Sequence, residues 1–252
     1  MDEQTTNHYG RLCTEMYEFL HEEAPPDELE FYLSYASKSE RILEALCGSG
    51  RFLIPFLDAG YDIKGVDSSP QMLEKLKAKR LEAAVTCADI TAFKPDGKFD
   101  YVFITSGSVS LFTDAASLRN ALTAVRDLLE PNGLLVFAVD TLACVEPDDE
   151  DYRITAQATI DGRRELTLKT KNRFDERTGT QFSPGVYELV EDGEPILIER
   201  MDFQTHLYSF EEMDEILHAA GFAVEAVYSS FQKDVATGND DEMFLYECRL
   251  KA

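Results

Sequence analysis

The chain has 252 residues, 44% of them hydrophobic, which is enough for a full core. No apolar run approaches the roughly 18 residues that span a bilayer, so no membrane partner is expected. Lys and Arg number 24 against 48 Asp and Glu, a net charge of -24. Such a field repels a phosphate backbone, excludes nucleic acid as the expected partner and favours neutral or cationic small substrates.

The N-terminus, MDEQTTNHYG, is polar and lacks a signal-peptide core, which reads as cytoplasmic. Five cysteines (Cys13, Cys47, Cys87, Cys144, Cys248) form no CxxC pair. They read as reduced thiols, with neither a metal site nor a disulfide framework.

Residues 7–38 carry aromatics and leucines at irregular helical spacing, and Pro25-Pro26 splits them into two helices. This N-terminal segment, 1–38, reads as a helical lid. Arg41–Leu46 is an apolar strand. The spacing of Phe52, Leu53, Phe56 and Leu57 predicts a helix over 49–59, stopped by Gly60. Residues 61–67 alternate as a strand, and Ser69-Pro70 opens a helix with Met72, Leu73 and Leu76 inward. Strands follow at 83–88 and Tyr101–Thr105. An amphipathic helix spans Ala116–Leu129, Pro131-Asn132-Gly133 is a turn, and LLVFAVD (134–140) is a buried strand.

Strand and helix alternate through residue 140, which implies a doubly wound, mostly parallel α/β sheet over 39–140. Residues 152–208 instead alternate as strands, with turns at Asp161-Gly162, Thr178-Gly179 and Asp192-Gly193. The insertion as a whole, 141–208, reads as a small antiparallel β-sheet lid. A helix at 211–222 and strands near 223–229 and 242–249 complete the sheet from 209–252.

The turn after the first strand, ILEALCGSGR, carries Gly48 and Gly50. Glycines at a strand-to-helix turn let a ligand approach the backbone, and the helix start offers free N–H groups. Asp67, closing the second strand, suits paired ribose hydroxyls. The dinucleotide fingerprint needs a third glycine, but Gly50 is followed by Arg51-Phe52-Leu53.

The segment RILEALCGSGRFLIPFLDAGYDIKGVDSSPQMLEKL closely resembles the first half of class I S-adenosylmethionine-dependent methyltransferases. CADI (87–90), FDYVFITSGSVSLF (99–112) and LLEPNGLLVF are similar to later elements of that family. The likeness implies a Rossmann-like seven-stranded sheet and S-adenosylmethionine as cofactor. It implies that Glu44 holds the amino group of the methionine moiety and that Gly48 and Gly50 admit the cofactor. Asp67 would accept from the ribose hydroxyls, Ser68 and Met72 would flank the adenine, Asp89 would accept from its amino group, Ile90 would pack on the ring and Ser106 would lie near the sulfonium. Where the family often has Gly or Ala, two residues after the acid, this chain has Leu46.

An activated methyl group asks mainly for alignment and water exclusion. If the acceptor is protonated, a base is needed; His206, Tyr9 and Tyr17 are the candidates. The expected function is methyl transfer to nitrogen or oxygen of a small molecule by a monomer or homodimer. A NAD-dependent oxidoreductase and a non-catalytic cofactor-binding partner subunit stand as alternatives.

Overall fold

In the computed structural model, which describes residues 6–37 and 40–251, each predicted apolar run becomes a strand or a helix face. The elements in chain order are α1 (Arg11–Leu20), α2 (Pro26–Leu33), β1 (Arg41–Ala45), α3 (Leu53–Asp58), β2 (Asp62–Asp67), α4 (Pro70–Lys79), β3 (Ala84–Cys87), β4 (Phe99–Ile104), α5 (Ala115–Leu128) and β5 (Leu129–Asp140). Then follow β6 (Arg153–Ile160), β7 (Arg164–Thr170), β8 (Arg173–Asp175), β9 (Thr180–Phe182), β10 (Gly185–Glu191), β11 (Glu194–Met201), β12 (Gln204–His206), α6 (Glu212–Ala220), β13 (Phe222–Tyr228) and β14 (Met243–Leu250). No helix among the described residues is long and apolar enough to cross a membrane.

The chain divides into two units. The first combines Met1–Glu22 with Val145–His206, the second Glu23–Cys144 with Leu207–Ala252. The expected N-terminal segment 1–38 is therefore shared between them, and its outer end, like the junction at 38–39 and residue 252, lies outside the described residues. Packing explains the division. Helix α1 buries Leu12, Cys13 and Met16 with Ala158, Leu166, Tyr187, Leu189 and Met201 of the first unit. Helix α2 buries Phe31 and Tyr32 among residues of the second.

The second unit holds a seven-stranded sheet in the order β13-β14-β5-β4-β1-β2-β3. Strands β1 to β5 pair in parallel, while β14 runs antiparallel to β5 and β13 antiparallel to β14. Alternate strand residues point to opposite faces. Leu43, Val102 and Phe137 meet Leu122 of α5 and Leu217 of α6 on one side. Ile42, Phe103 and Val136 meet Tyr32, Phe56 and Leu76 of helices α2, α3 and α4 on the other. Because β1 sends the chain to β2 on one side and pairs with β4 on the other, the strand order reverses there. In such sheets ligands bind beyond the carboxyl ends of the strands at that reversal.

Two local readings are corrected. The helix expected over 49–59 is α3, Leu53–Asp58. Gly50 has φ of +82°, which a right-handed helix cannot accommodate, so the turn completes before the helix begins. The expected turn at Pro131-Asn132-Gly133 lies within β5, which starts at Leu129.

The first unit carries a sheet ordered β11-β10-β7-β6 and a smaller one ordered β12-β9-β8. Asp161-Gly162 and Asp192-Gly193 both have positive φ at the two turn positions, the requirement of a tight hairpin. Glu199 on β11 caps α1, its carboxylate accepting from Leu12 N and Cys13 N at 3.1 Å each. A Cβ on Gly10 would stand 2.7 Å from that carboxylate, so a glycine is needed there.

Candidate functional site

At the carboxyl end of β1 the chain turns through 46–52. Glu44 is buried at 1% exposure. Leu53 N–H donates to its carboxylate, yet its Oε2 has no hydrogen-bond partner. Burial pushes this carboxyl well above the usual range, the Arg51 charge opposes the rise and nearby Asp67 adds to it. A buried acceptor without a donor costs free energy.

Leu46 takes φ of +58°, the left-handed region that a side chain enters at a cost of about 1–2 kcal/mol. Gly48 follows with φ of +51° and open space where a Cβ would be. Gly50 differs, because a Cβ there would lie 2.7 Å from Leu76 Cγ. The glycine at 50 lets the turn pack on α4.

Asp67, the last residue of β2, ties two turns together. Its Oδ2 accepts from Gly48 N and its Oδ1 from Ser69 N, both at 2.8 Å. Burial raises its carboxyl, and the Ser69, Gly48 and Ser68 N–H groups pull it back. Two carboxylate oxygens offer about four acceptor directions, so these bonds leave capacity for a ligand. Ser69 caps α4, its Oγ accepting from Met72 N at 3.2 Å. Ser68 is exposed, while Met72 and Ile90 are buried at 3% and 5% exposure. Ile90 belongs to the core around β1, β2 and β4. Asp89 is exposed and accepts from Thr91 N at 2.8 Å and from its hydroxyl.

The turn after β4 carries the expected Ser106 and brings in Glu28 and Arg51, two residues that the sequence reading missed. Ser106 has φ of +55° and donates through its N to Glu28 Oε1 at 2.9 Å and through its hydroxyl to the same oxygen at 3.3 Å. Arg51 Nη2 donates to Ser106 Oγ. Glu28, on α2, is 5% exposed; burial raises its carboxyl, while the Ser106 N–H and the Arg51 charge lower it. The first turn of α2 carries Asp27 and Glu28, and only the fold shows that Glu28 is buried. Asp140, at the end of β5, is the third omission, read only as the last residue of a strand.

Tyr9, Tyr17 and His206 belong to the first unit, and every cofactor candidate belongs to the second. Tyr9 meets Tyr17 edge-on with ring centroids 6.2 Å apart, and Tyr17 meets His21 at 4.7 Å. His206 ends β12 opposite Thr180 and is half-buried.

Comparison with known proteins agrees with this geometry. A family described as "Methyltransferase domain" matches residues 42–133, the stretch from β1 into β5. YqeM of Bacillus subtilis (strain 168), a protein named for an inferred methyltransferase role, is 26% identical over 248 residues, covering 91% of this chain and 92% of YqeM. An S-adenosylmethionine-dependent methyltransferase from Clostridium acetobutylicum ATCC 824 shares the fold with a TM-score of 0.75 at 15% identity, over 94% of this chain and 97% of that one. The sugar N-methyltransferase KedS8 from Streptoalloteichus sp ATCC 53650 superimposes with a TM-score of 0.73 at 18% identity, over 100% and 99%. The strand order, the acid closing β2 and the methyltransferase domain matched at residues 42–133 together support a class I S-adenosylmethionine-dependent methyltransferase.

Proposed function

We propose that the chain transfers a methyl group from S-adenosylmethionine to a nitrogen or oxygen of a small molecule, and that the cofactor lies along the carboxyl ends of β1, β2 and β3. The observation that carries this reading is Glu44, a buried carboxylate with one oxygen lacking a partner. The amino group of a methionine moiety supplies the donor that such an oxygen needs. Gly48, with open space on its Cβ side, admits the cofactor against the backbone, and Gly50 keeps the turn tight on α4. Asp67 accepts from the ribose hydroxyls. Ser68 and Met72 flank the adenine, Asp89 accepts from its amino group, and Ile90 supports the ring from the core. Ser106, held by Glu28 and Arg51, lies toward the sulfonium.

When bound, the cofactor supplies a methyl group already activated by a positively charged sulfur. The protein's part is to orient and to exclude water, contributions that reach roughly 7–11 kcal/mol in favourable cases. A small acceptor fits the net charge of -24, which repels nucleic acid, and KedS8 is a sugar N-methyltransferase. A nicotinamide cofactor is disfavoured, because Leu53 stands where the dinucleotide fingerprint has its third glycine and is fully buried.

Calorimetry with S-adenosylhomocysteine tests the reading. Wild type should bind it and not NAD, and Glu44→Gln should bind at least tenfold more weakly. Equal affinity of a folded Glu44→Gln variant would remove Glu44 from the site.

A further inference from the structure

Most acids at this end of the sheet hold a donor. Asp67 takes two backbone N–H groups, Asp89 takes Thr91, and Glu28 takes Ser106. Asp140 does not. Its hydrogen bonds are made by its main chain: its N donates to Ser110 Oγ at 2.9 Å and its O accepts from Tyr208 N at 2.9 Å. Among the described residues no donor reaches its carboxylate.

That carboxylate lies against Gly107, where a Cβ would fall 2.5 Å from Oδ1. The chain has a glycine where a side chain would displace the acid. Gly107 follows Ser106, so Asp140 borders the turn proposed above to lie toward the sulfonium. Among the described residues no cation offsets the acid. The titratable groups around it are the Cys144 thiol and the Tyr208 phenol, both pushed up in part by Asp140, with Glu212 beside Tyr208 and Glu242 beside Cys144. Burial alone pushes the Asp140 carboxyl up to about 6. An undonated, desolvated acid in a native fold calls for an explanation, and a carboxyl that titrates just below neutrality is suited to receive a proton.

We infer that Asp140 is a catalytic carboxylate which receives the ammonium group of the methyl acceptor and takes one of its protons, making the acceptor a small primary or secondary amine. In this step an N–H bond of the ammonium breaks, its electron pair stays on nitrogen and an O–H bond forms on Asp140. The ammonium and the carboxylate both become neutral, and the nitrogen gains the lone pair that methyl transfer requires. An alcohol holds its proton too tightly to give it to such a carboxylate. The inference rests on the cofactor reading above, because it places the acceptor beside Ser106.

The test compares wild type with Asp140→Asn. Both are first titrated calorimetrically with S-adenosylhomocysteine, then incubated with isotopically labelled S-adenosylmethionine and an equimolar panel of small amines, alcohols and carboxylic acids, with products read by mass spectrometry. Wild type should label amines only, with a rate that falls below about pH 6. Asp140→Asn should bind S-adenosylhomocysteine within about threefold of wild type, label at least a hundredfold more slowly and lose that acid limb. Carboxyl carbon-13 spectra supply a readout free of turnover: the resonance absent from Asp140→Asn should titrate near pH 6 in wild type. Labelling of alcohols or of no member, an unchanged rate in Asp140→Asn, or a resonance titrating in the ordinary aspartate range each overturns the inference. If wild type does not bind S-adenosylhomocysteine, the cofactor reading itself has failed; if it binds and only the Asp140 results fail, that reading stands.

Discussion

The two units hold their shifted acids differently, apart from Asp114 of the second, an exposed helix cap lowered chiefly by its hydrogen bonds with Ser117. In the first unit exposed Asp161 and half-buried Asp175 face arginines, Arg164 and Arg177, which hold their carboxyls below the usual range; Asp149 is lowered chiefly by the Asn172 N–H, with Arg153 adding. In the second unit Glu28, Glu44, Asp67 and Asp140 are all raised, and burial is the largest cause each time. A net charge of -24 therefore has two meanings. Solvated, paired acids keep a surface in water, whereas desolvated acids are retained at a cost to the fold, which is a mark of a functional site.

The comparison is broken most directly at Asp67. Asp67→Ala removes the acceptor for Gly48 N and Ser69 N and the proposed ribose partner. Each charge-assisted bond contributes about 1.5–3 kcal/mol before water compensates. Calorimetry should show S-adenosylhomocysteine binding at least tenfold weaker, or about 1.4 kcal/mol, with the far-ultraviolet spectrum retained. Unchanged affinity would make Asp67 a turn-forming acid like Asp161.

Glycines sharpen the same contrast. A Cβ on Gly50 meets Leu76 at 2.7 Å, whereas a Cβ on Gly162 of the first unit meets nothing within 4 Å; both positions have positive φ. Gly162→Ala should cost about 1–2 kcal/mol of backbone strain. Gly50→Ala should cost about 2–4 kcal/mol, because overpacking is added. Urea denaturation measures both, and equal losses would show that the turn relaxes around the added methyl group.

These residues also show what the sequence makes legible. Gly48, Gly50 and Asp67 are readable because a strand-to-helix turn restricts residue type locally. The Asp-Gly hairpins are readable for the same reason. Glu28 and Asp140 are not, because what marks them is long-range: Glu28 meets Ser106 across 78 positions, and Asp140 is distinguished by donors that do not reach it. The division of the N-terminal helices was hidden too. Both α1 and α2 are amphipathic, and nothing within either names the sheet it packs on.

The third prediction reverses the usual pH dependence. A carboxyl raised in the folded state contributes most stability below its unfolded pKa, and that contribution is lost as pH rises through the folded value. For Asp140 the window runs from 3.8 to about 6. Asp140→Asn should therefore match wild type near pH 4 and exceed it at pH 7.5 by roughly 1–3 kcal/mol, allowing for partial exposure. The lowered acids of the first unit work the other way: their contribution is present above the unfolded pKa and lost as pH falls through the folded one. Denaturation of Asp140→Asn at both pH values reads the difference, and a variant less stable than wild type at pH 7.5 would mean that Asp140 has a donor in solution.

The smallest effect is expected at a paired charge of the first unit. Lys169 Nζ meets Glu188 Oε2 at 2.5 Å with both side chains about a third exposed. Lys169 lies opposite Val186 and Glu188 opposite Thr167, so the two are diagonal neighbours on one sheet face. Such pairs contribute about 0.2–1 kcal/mol, because each ion gives up hydration to make the contact and water still screens it. Lys169→Gln keeps most of the stem packing, so the loss should stay under about 1 kcal/mol and shrink in 1 M salt, where the screening length falls to about 3 Å. A loss above about 2 kcal/mol that salt does not reduce would place this pair in a low-dielectric setting like that of Glu44, and the two units would no longer differ in how they hold charge.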